Sequence, residues 1–195
     1  MRLILASSSV YRRHLLERLQ IPFLCISPDV DESALANEAP LDTARRLSIA
    51  KARAVHQHNP DSVVIGSDQV AVCNDQAIGK PGSPEKAYEQ LRFLSGKTVL
   101  FHTGVCLISP TSTHTDIVTT ICQFRPLSEQ EIYTYLAIDA PYDTAGSAKA
   151  ESLGIALMEY IRSDDPTAII GLPMITLSRM LRTIGINPLT THTHS

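Results

Sequence analysis

The chain has 195 residues, of which 44% are apolar and 19% charged, and its formal net charge is -3. That length supports a sizeable core in one domain without disulfides or metals, and the slight acidity excludes a general binder of nucleic acid or membrane surfaces. Any phosphate binding must therefore be local.

Cys25, Cys73, Cys106 and Cys122 form no C-x-x-C pair, so neither a zinc site nor a thioredoxin-like motif is indicated, and reduced core thiols are expected. The apolar run ahead of the first serines is too short for a secretion signal, and no segment approaches membrane-spanning length. The cytoplasm is the expected compartment.

Residues 2–6 predict a first strand, and the spacing of Tyr11, Leu15, Leu16 and Leu19 predicts a helix from about Ser9 that Ile21-Pro22 ends. Ser7, Ser8 and Ser9 bring hydroxyls and backbone N–H groups to the start of that helix. Arg12 and Arg13 add positive charge in a first turn where the helix dipole favours acids. So awkward a choice suggests an anionic ligand, and a phosphate chain fits best.

Residues 23–27 predict a second short strand, followed by a polar loop, Pro28-Asp29-Val30-Asp31-Glu32, with three carboxylates. Asp42 or Thr43 would cap a helix reaching about His58, with Ala44, Leu47, Ala50, Ala54 and Val55 as its buried stripe and Lys51 along it. A Val/Ile-rich strand starts at Ser62, is broken by Gly66-Ser67-Asp68-Gln69 and resumes at Val70-Ala71-Val72. Sites are where such local inconsistency is expected.

Gly79-Lys80-Pro81-Gly82 reads as a loop, and Ser83-Pro84 opens a helix ending near Ser95-Gly96. Residues 97–108 and 115–125 predict two long strands paired as a hairpin. Leu127-Ser128, with Glu131 three residues on, predicts a capping box and a helix to about Ile138. The run 144–151 is small, polar and irregular, as suits a binding loop. Residues 153–161 resume a strand, Asp164-Asp165-Pro166 starts a turn, and Leu172-Pro173 opens a last amphipathic helix to Gly185. The polar tail, residues 190–195, contains His192 and His194, which are too isolated to indicate a metal site.

Gly79-Lys80-Pro81 lacks the G-x-x-x-x-G-K-[ST] spacing of a Walker A loop, and neither H-E-x-x-H nor G-x-S-x-G occurs. The candidates for chemistry are Ser7, Arg12, Arg13, Glu32, Lys51, Asp68 and Lys80, each near the end of an element or close to a break. Singly, each also has a plain reading. A helical lysine is usually a solvated cation, and an Asp after Gly-Ser is often a turn former.

Together they are more specific. Through L-A-S-S-S-V-Y-R-R-x-L-L, S-P-D-V-D-E, R-L-S-x-x-K-A, I-G-S-D-Q-V, G-K-P, L-S-G-K and A-G-S-A-K-A-E-S-L-G, in order between residues 3 and 188, the chain resembles the Maf-like nucleoside triphosphate pyrophosphatases. Val10 departs from the Pro usual at that helix start. The resemblance implies a single domain over residues 1–189, an α/β fold with an elongated mixed sheet flanked by helices. Two lobes around a central cleft are expected, as in inosine-triphosphate pyrophosphatases.

It also implies hydrolysis of a nucleoside triphosphate to the monophosphate and pyrophosphate, with a divalent metal, Mg²⁺ or Mn²⁺. Asp68 matches the proposed proton acceptor, which either deprotonates the water or chiefly binds metal. Ser7, Arg12, Lys51 and Lys80 match phosphate-facing groups, Arg13 flanks them, and Glu32 is the best second carboxylate for the metal. A homodimer is common in the family, although no seam is readable. A nucleotide-sensing role with a cell-division partner stands as an alternative to hydrolysis.

Tyr11, Gln69 and Glu151 fall where family members differ by base. Pyrimidine-specific members, which accept dTTP and UTP, typically carry Arg, Thr and Gln there. An aromatic residue, Gln and Glu resemble the 7-methyl-GTP pyrophosphatase subgroup. Guanine presents its N1–H and 2-amino donors side by side, which one carboxylate can accept, whereas uracil and thymine would set carbonyls against it. N7-methylation makes the purine cationic, and an aromatic face attracts it. The expected substrate is 7-methyl-GTP; dTTP, UTP or another modified nucleotide is the alternative.

Overall fold

Parity divides the side chains of the first buried strands between two cores. The computed structural model describes residues 2–190. Met1 and residues 191–195, with most of the expected tail and both of its histidines, lie outside the described residues. In chain order the elements are β1 (Leu3–Ala6), α1 (Val10–Glu17), β2 (Leu24–Ile26), α2 (Pro40–His56), β3 (Val63–Cys73), β4 (Gln76–Ile78), α3 (Pro84–Leu94), β5 (Thr98–Ile108), β6 (Thr113–Phe124), α4 (Glu129–Asp139), β7 (Met158–Arg162) and α5 (Met174–Thr183). The sheet order is β2-β1-β3-β5-β6-β7, with β4 paired to β3. β2 and β3 run parallel to β1, whereas β4 is antiparallel to β3 and β7 to β6. This is the mixed α/β sheet flanked by helices that the sequence predicts.

The chain clusters into two compact units. Among the described residues, the first takes 2–69, Thr103–Val118 and 165–190; the second takes Val70–His102 and Thr119–Asp164. In the first, Leu3, Leu5, Val63, Ile65, Val105 and Leu107 meet Leu15 and Leu16 of α1 and Leu177 and Leu181 of α5. Ile4, Ala6, Val64, Cys106 and Ile108 turn the other way, onto Ala52 and Val55 of α2. The two-residue period of a strand buried on both faces produces this split.

α2 starts at Pro40, earlier than the expected cap at Asp42 or Thr43, because Pro suits the first helical position. Its buried residues are Thr43, Ala44, Leu47, Ser48, Lys51, Ala52 and Val55. The stripe is rotated from the predicted one, and Ala50 and Ala54 are only partly buried. The surface beneath gives the reason. A Cβ on Gly66 would lie 2.2 Å from the Ser48 carbonyl oxygen and 2.6 Å from the Ala52 nitrogen, and one on Gly104 would lie 2.5 Å from the Ala44 carbonyl oxygen. The two glycines let the helix backbone approach β3 and β5 closely. β3 itself runs unbroken, so Gly66-Ser67-Asp68-Gln69 interrupts the hydrophobic pattern and leaves the strand's backbone continuous.

In the second unit Asn74 (φ 51°) and Asp75 (φ 60°) turn β3 into β4, a hairpin the sequence reading missed. Ser83 caps α3 by accepting the Lys86 N–H at 3.3 Å, and Ser128 with Glu131 forms the predicted capping box at α4. The run 144–151, expected as a binding loop, is partly core. A Cβ on Gly146 (φ 74°) would lie 3.2 Å from the Phe101 ring, and the buried Ser147 hydroxyl donates to Gln90. Residues 153–157 form 3-10 turns, so the strand predicted over 153–161 shortens to β7.

Cys73, Cys106 and Cys122 are buried thiols, while Cys25 on β2 is exposed, against expectation. Among the described residues no helix is long and apolar enough to cross a membrane.

Candidate active site

The pleat of β3 sorts its polar residues. Asp68 shares the α2-facing side with Gly66, and Ser67 and Gln69 point to the opposite side. Lys51, on the buried stripe of α2, brings its Nζ to 2.7 Å from Asp68 Oδ1 and 2.8 Å from Glu32 Oε1. Side-chain exposure is 6% for Lys51 and 9% for Asp68 but 60% for Glu32, so the ammonium bridges a buried and a solvated carboxylate. A buried charge persists only with such a partner.

On the opposite side, Ser67 Oγ donates to the carbonyl oxygens of Gly104 at 2.7 Å and Gly171 at 2.9 Å. Gln69 Nε2 donates to Thr103 Oγ1 and the Ala168 carbonyl, both at 2.9 Å, and to the Ile169 carbonyl at 3.1 Å. The Gly171 carbonyl also accepts the Arg12 Nε–H at 2.8 Å. Arg12 sits in the first turn of α1, where Ser9 Oγ accepts its backbone N–H at 3.4 Å and Ser7 Oγ accepts that of Ser9 at 3.1 Å. Burial lowers the Arg12 pKa, and Asp68 and Glu32 oppose the shift. Its guanidinium, which stays charged, therefore lies in the field of both carboxylates.

The Ala6–Gly66 pairing of β1 with β3 carries Ser7 to the level of the polar stretch on β3. Ser7, Arg12, Glu32, Lys51 and Asp68 are thus assembled within the first unit, where Tyr11 is also found, partly buried. Arg13 stands apart from them, 61% exposed and paired with Glu17 one turn on. Lys80 and Glu151 are exposed residues of the second unit. Partial desolvation raises the Glu151 carboxyl from its ordinary value; a backbone hydrogen bond and Lys149 oppose this, and Asp139 and Asp143 reinforce it. Sequence reasoning missed Thr103 and Gly171, whose hydrogen bonds reach Gln69 and Ser67 across 34 and 104 residues. No local pattern could have marked them.

The arrangement offers fixed positive charge from Arg12 and Lys51, hydroxyl and N–H donors at a helix start, and two carboxylates converging on one ammonium. Among the described residues no three His, Cys, Asp or Glu side chains gather as a metal cluster. Two carboxylates nevertheless suit a hard cation such as Mg²⁺, which is commonly held by one or two carboxylates together with substrate phosphates.

The family model described as Maf-like protein matches residues 2–184. The chain belongs to the Maf-like family. A 7-methyl-GTP pyrophosphatase of Bordetella pertussis is 60% identical to this Maf-like chain over 191 residues, which cover 98% of the chain and 96% of that protein. A 7-methyl-GTP pyrophosphatase of Aromatoleum aromaticum is 51% identical over 187 residues, covering 95% and 96%. Among solved structures, a HAM1 protein from Coxiella burnetii matches with a TM-score of 0.53 and 15% identity, over 94% of the Maf-like chain and 99% of its own. That likeness shows a shared fold.

Proposed function

We propose that this Maf-like protein is a nucleoside triphosphate pyrophosphatase of the cytoplasmic nucleotide pool that hydrolyses 7-methyl-GTP to 7-methyl-GMP and pyrophosphate. One observation carries the reading: the buried Lys51–Asp68 pair, joined by Glu32, in a chain 60% identical over nearly its whole length to a protein named 7-methyl-GTP pyrophosphatase. Attack of water on the α-phosphorus needs an acceptor for its proton, and Asp68 is that group. Arg12, Lys51 and Ser7 bind the phosphates and offset charge building on the leaving pyrophosphate, with Lys80 adding positive charge, while Arg13, paired with Glu17, only flanks them. Asp68 and Glu32 would hold Mg²⁺ or Mn²⁺, which when bound neutralises phosphate oxygens.

Base choice is assigned to Tyr11, Gln69 and Glu151. A Glu151 carboxylate accepting the guanine N1–H and 2-amino donors would disfavour a pyrimidine by roughly 1–3 kcal/mol, a factor of about 5 to 150. The Tyr11 face would add about 0.5–2 kcal/mol for the cationic 7-methylguanine ring. The Gln69 amide nitrogen already donates within the protein, so a direct base contact would come from its Oε1. Product analysis tests the reaction: one pyrophosphate per 7-methyl-GMP is expected, and inorganic phosphate with 7-methyl-GDP would overturn it.

A further inference from the structure

Glu32 reaches Lys51 from a segment with no helix or strand, residues 27–39, and its own side chain is 60% exposed. Packing therefore does little to fix the carboxylate. Glu38 and Arg46 do more. Arg46 Nε donates to Glu38 Oε1 at 2.6 Å and Arg46 Nη2 donates to Glu38 Oε2 at 2.8 Å, a two-pronged pair in which Glu38 is 10% and Arg46 30% exposed. The same Nη2 donates to the Ser33 carbonyl oxygen at 3.0 Å, one residue beyond Glu32. Glu38 Oε2 also accepts the Leu35 N–H at 3.1 Å and the Thr43 hydroxyl at 2.9 Å, and Asp31 Oδ1 accepts the Ser33 N–H at 2.9 Å. Ser33 and Glu38, both beyond Glu32 in the chain, are thus tied to α2, the helix that carries Lys51, and Asp31 on the other side of Glu32 is tied to Ser33.

We propose that the Glu38–Arg46 pair is a positioning clamp, which holds the 31–38 loop on α2 so that the Glu32 carboxylate stays against Lys51 beside Asp68. Neither residue touches the reacting atoms; both act through Glu32. A paired guanidinium and carboxylate fix direction as well as distance, which a lysine in the same place would not reproduce. The clamp rests on the function proposed above only in assigning Glu32 to the site.

The test compares the full-length chain with Arg46→Lys and Glu38→Gln, each with and without Glu32→Gln. Amide exchange of residues 31–38 and the affinity for α,β-methylene-GTP with Mn²⁺ are measured. Both clamp variants are expected to raise exchange in this loop at least tenfold and to weaken binding about tenfold, while the same changes in the Glu32→Gln background weaken binding less than twofold. Unchanged exchange, or an equal loss of affinity in both backgrounds, would overturn the clamp. Failure of the unaltered chain to release pyrophosphate from 7-methyl-GTP would overturn the function instead, with loop exchange still deciding the clamp.

Discussion

Lys51 and Asp68 hold opposite charges at a depth where either alone would be costly. Their contact at 2.7 Å, with Glu32 beside it, lets both stay buried, and the proposed function gives the same pair a chemical role. Lys51→Met keeps most of the side-chain volume but leaves Asp68 buried and unpaired; a loss of about 3–5 kcal/mol in urea unfolding is expected, and a loss below about 1 kcal/mol would contradict the pairing argument. Asp68→Asn preserves shape and leaves Lys51 its Glu32 partner. Its 7-methyl-GTP turnover is expected to fall about 100-fold or more with a near-normal unfolding midpoint, and a near-normal rate would remove Asp68 from its role. Motif resemblance pointed to both residues, but periodicity hid the burial of Lys51. A hydrophobic stripe drawn from α2 alone has no means of knowing that Gly66 and Gly104 lie beneath the helix.

At the scale of elements, the close approach of α2 to β3 is what lets Lys51 reach Asp68. Gly66→Ala would place a methyl group 2.2 Å from the Ser48 carbonyl oxygen, so the helix must retreat. A destabilisation of about 1–3 kcal/mol is expected by thermal unfolding, with a fall in turnover as the two charges separate; unchanged values for both would contradict the packing argument.

The capping box of α4 gives a pH prediction. The Ser128 backbone N–H first, then Arg125 and the Ser128 hydroxyl, hold the Glu131 carboxyl down at about 2, below its usual 4.5. Glu38 is likewise held at about 2, chiefly by Arg46. Carboxylates so depressed stabilise the fold above their unfolded pKa and lose that contribution as pH falls through the folded value. The urea midpoint is therefore expected to decline between pH 4.5 and about 2, and less steeply in Glu131→Gln. An identical slope in that variant would show that the box does not couple to folding.

The Ser128 box and the Ser83-Pro84 start were legible because their signals are local. The β4 hairpin was missed because an Asn-Asp turn signals more weakly than Asn-Gly. The packing of the 144–151 run was not legible because its small residues suit a loop and equally suit close packing on Phe101.

For the whole molecule, motifs in order along the sequence identified the family, and the family match over residues 2–184 bears this out. The mixed seven-stranded sheet follows from long Val/Ile-rich strands alternating with capped helices. Contacts such as Arg12 to Gly171 and Gln69 to residues 168–169 were not legible, since they depend on which chain ends the fold brings to β3. The central claim is hydrolysis with a preference for 7-methylguanine. Its most direct measurement is kcat/KM by pyrophosphate release for 7-methyl-GTP, GTP, dTTP and UTP with Mg²⁺ or Mn²⁺. 7-Methyl-GTP is expected to be hydrolysed faster than GTP, and both much faster than dTTP or UTP; a preference for dTTP would contradict the assignment.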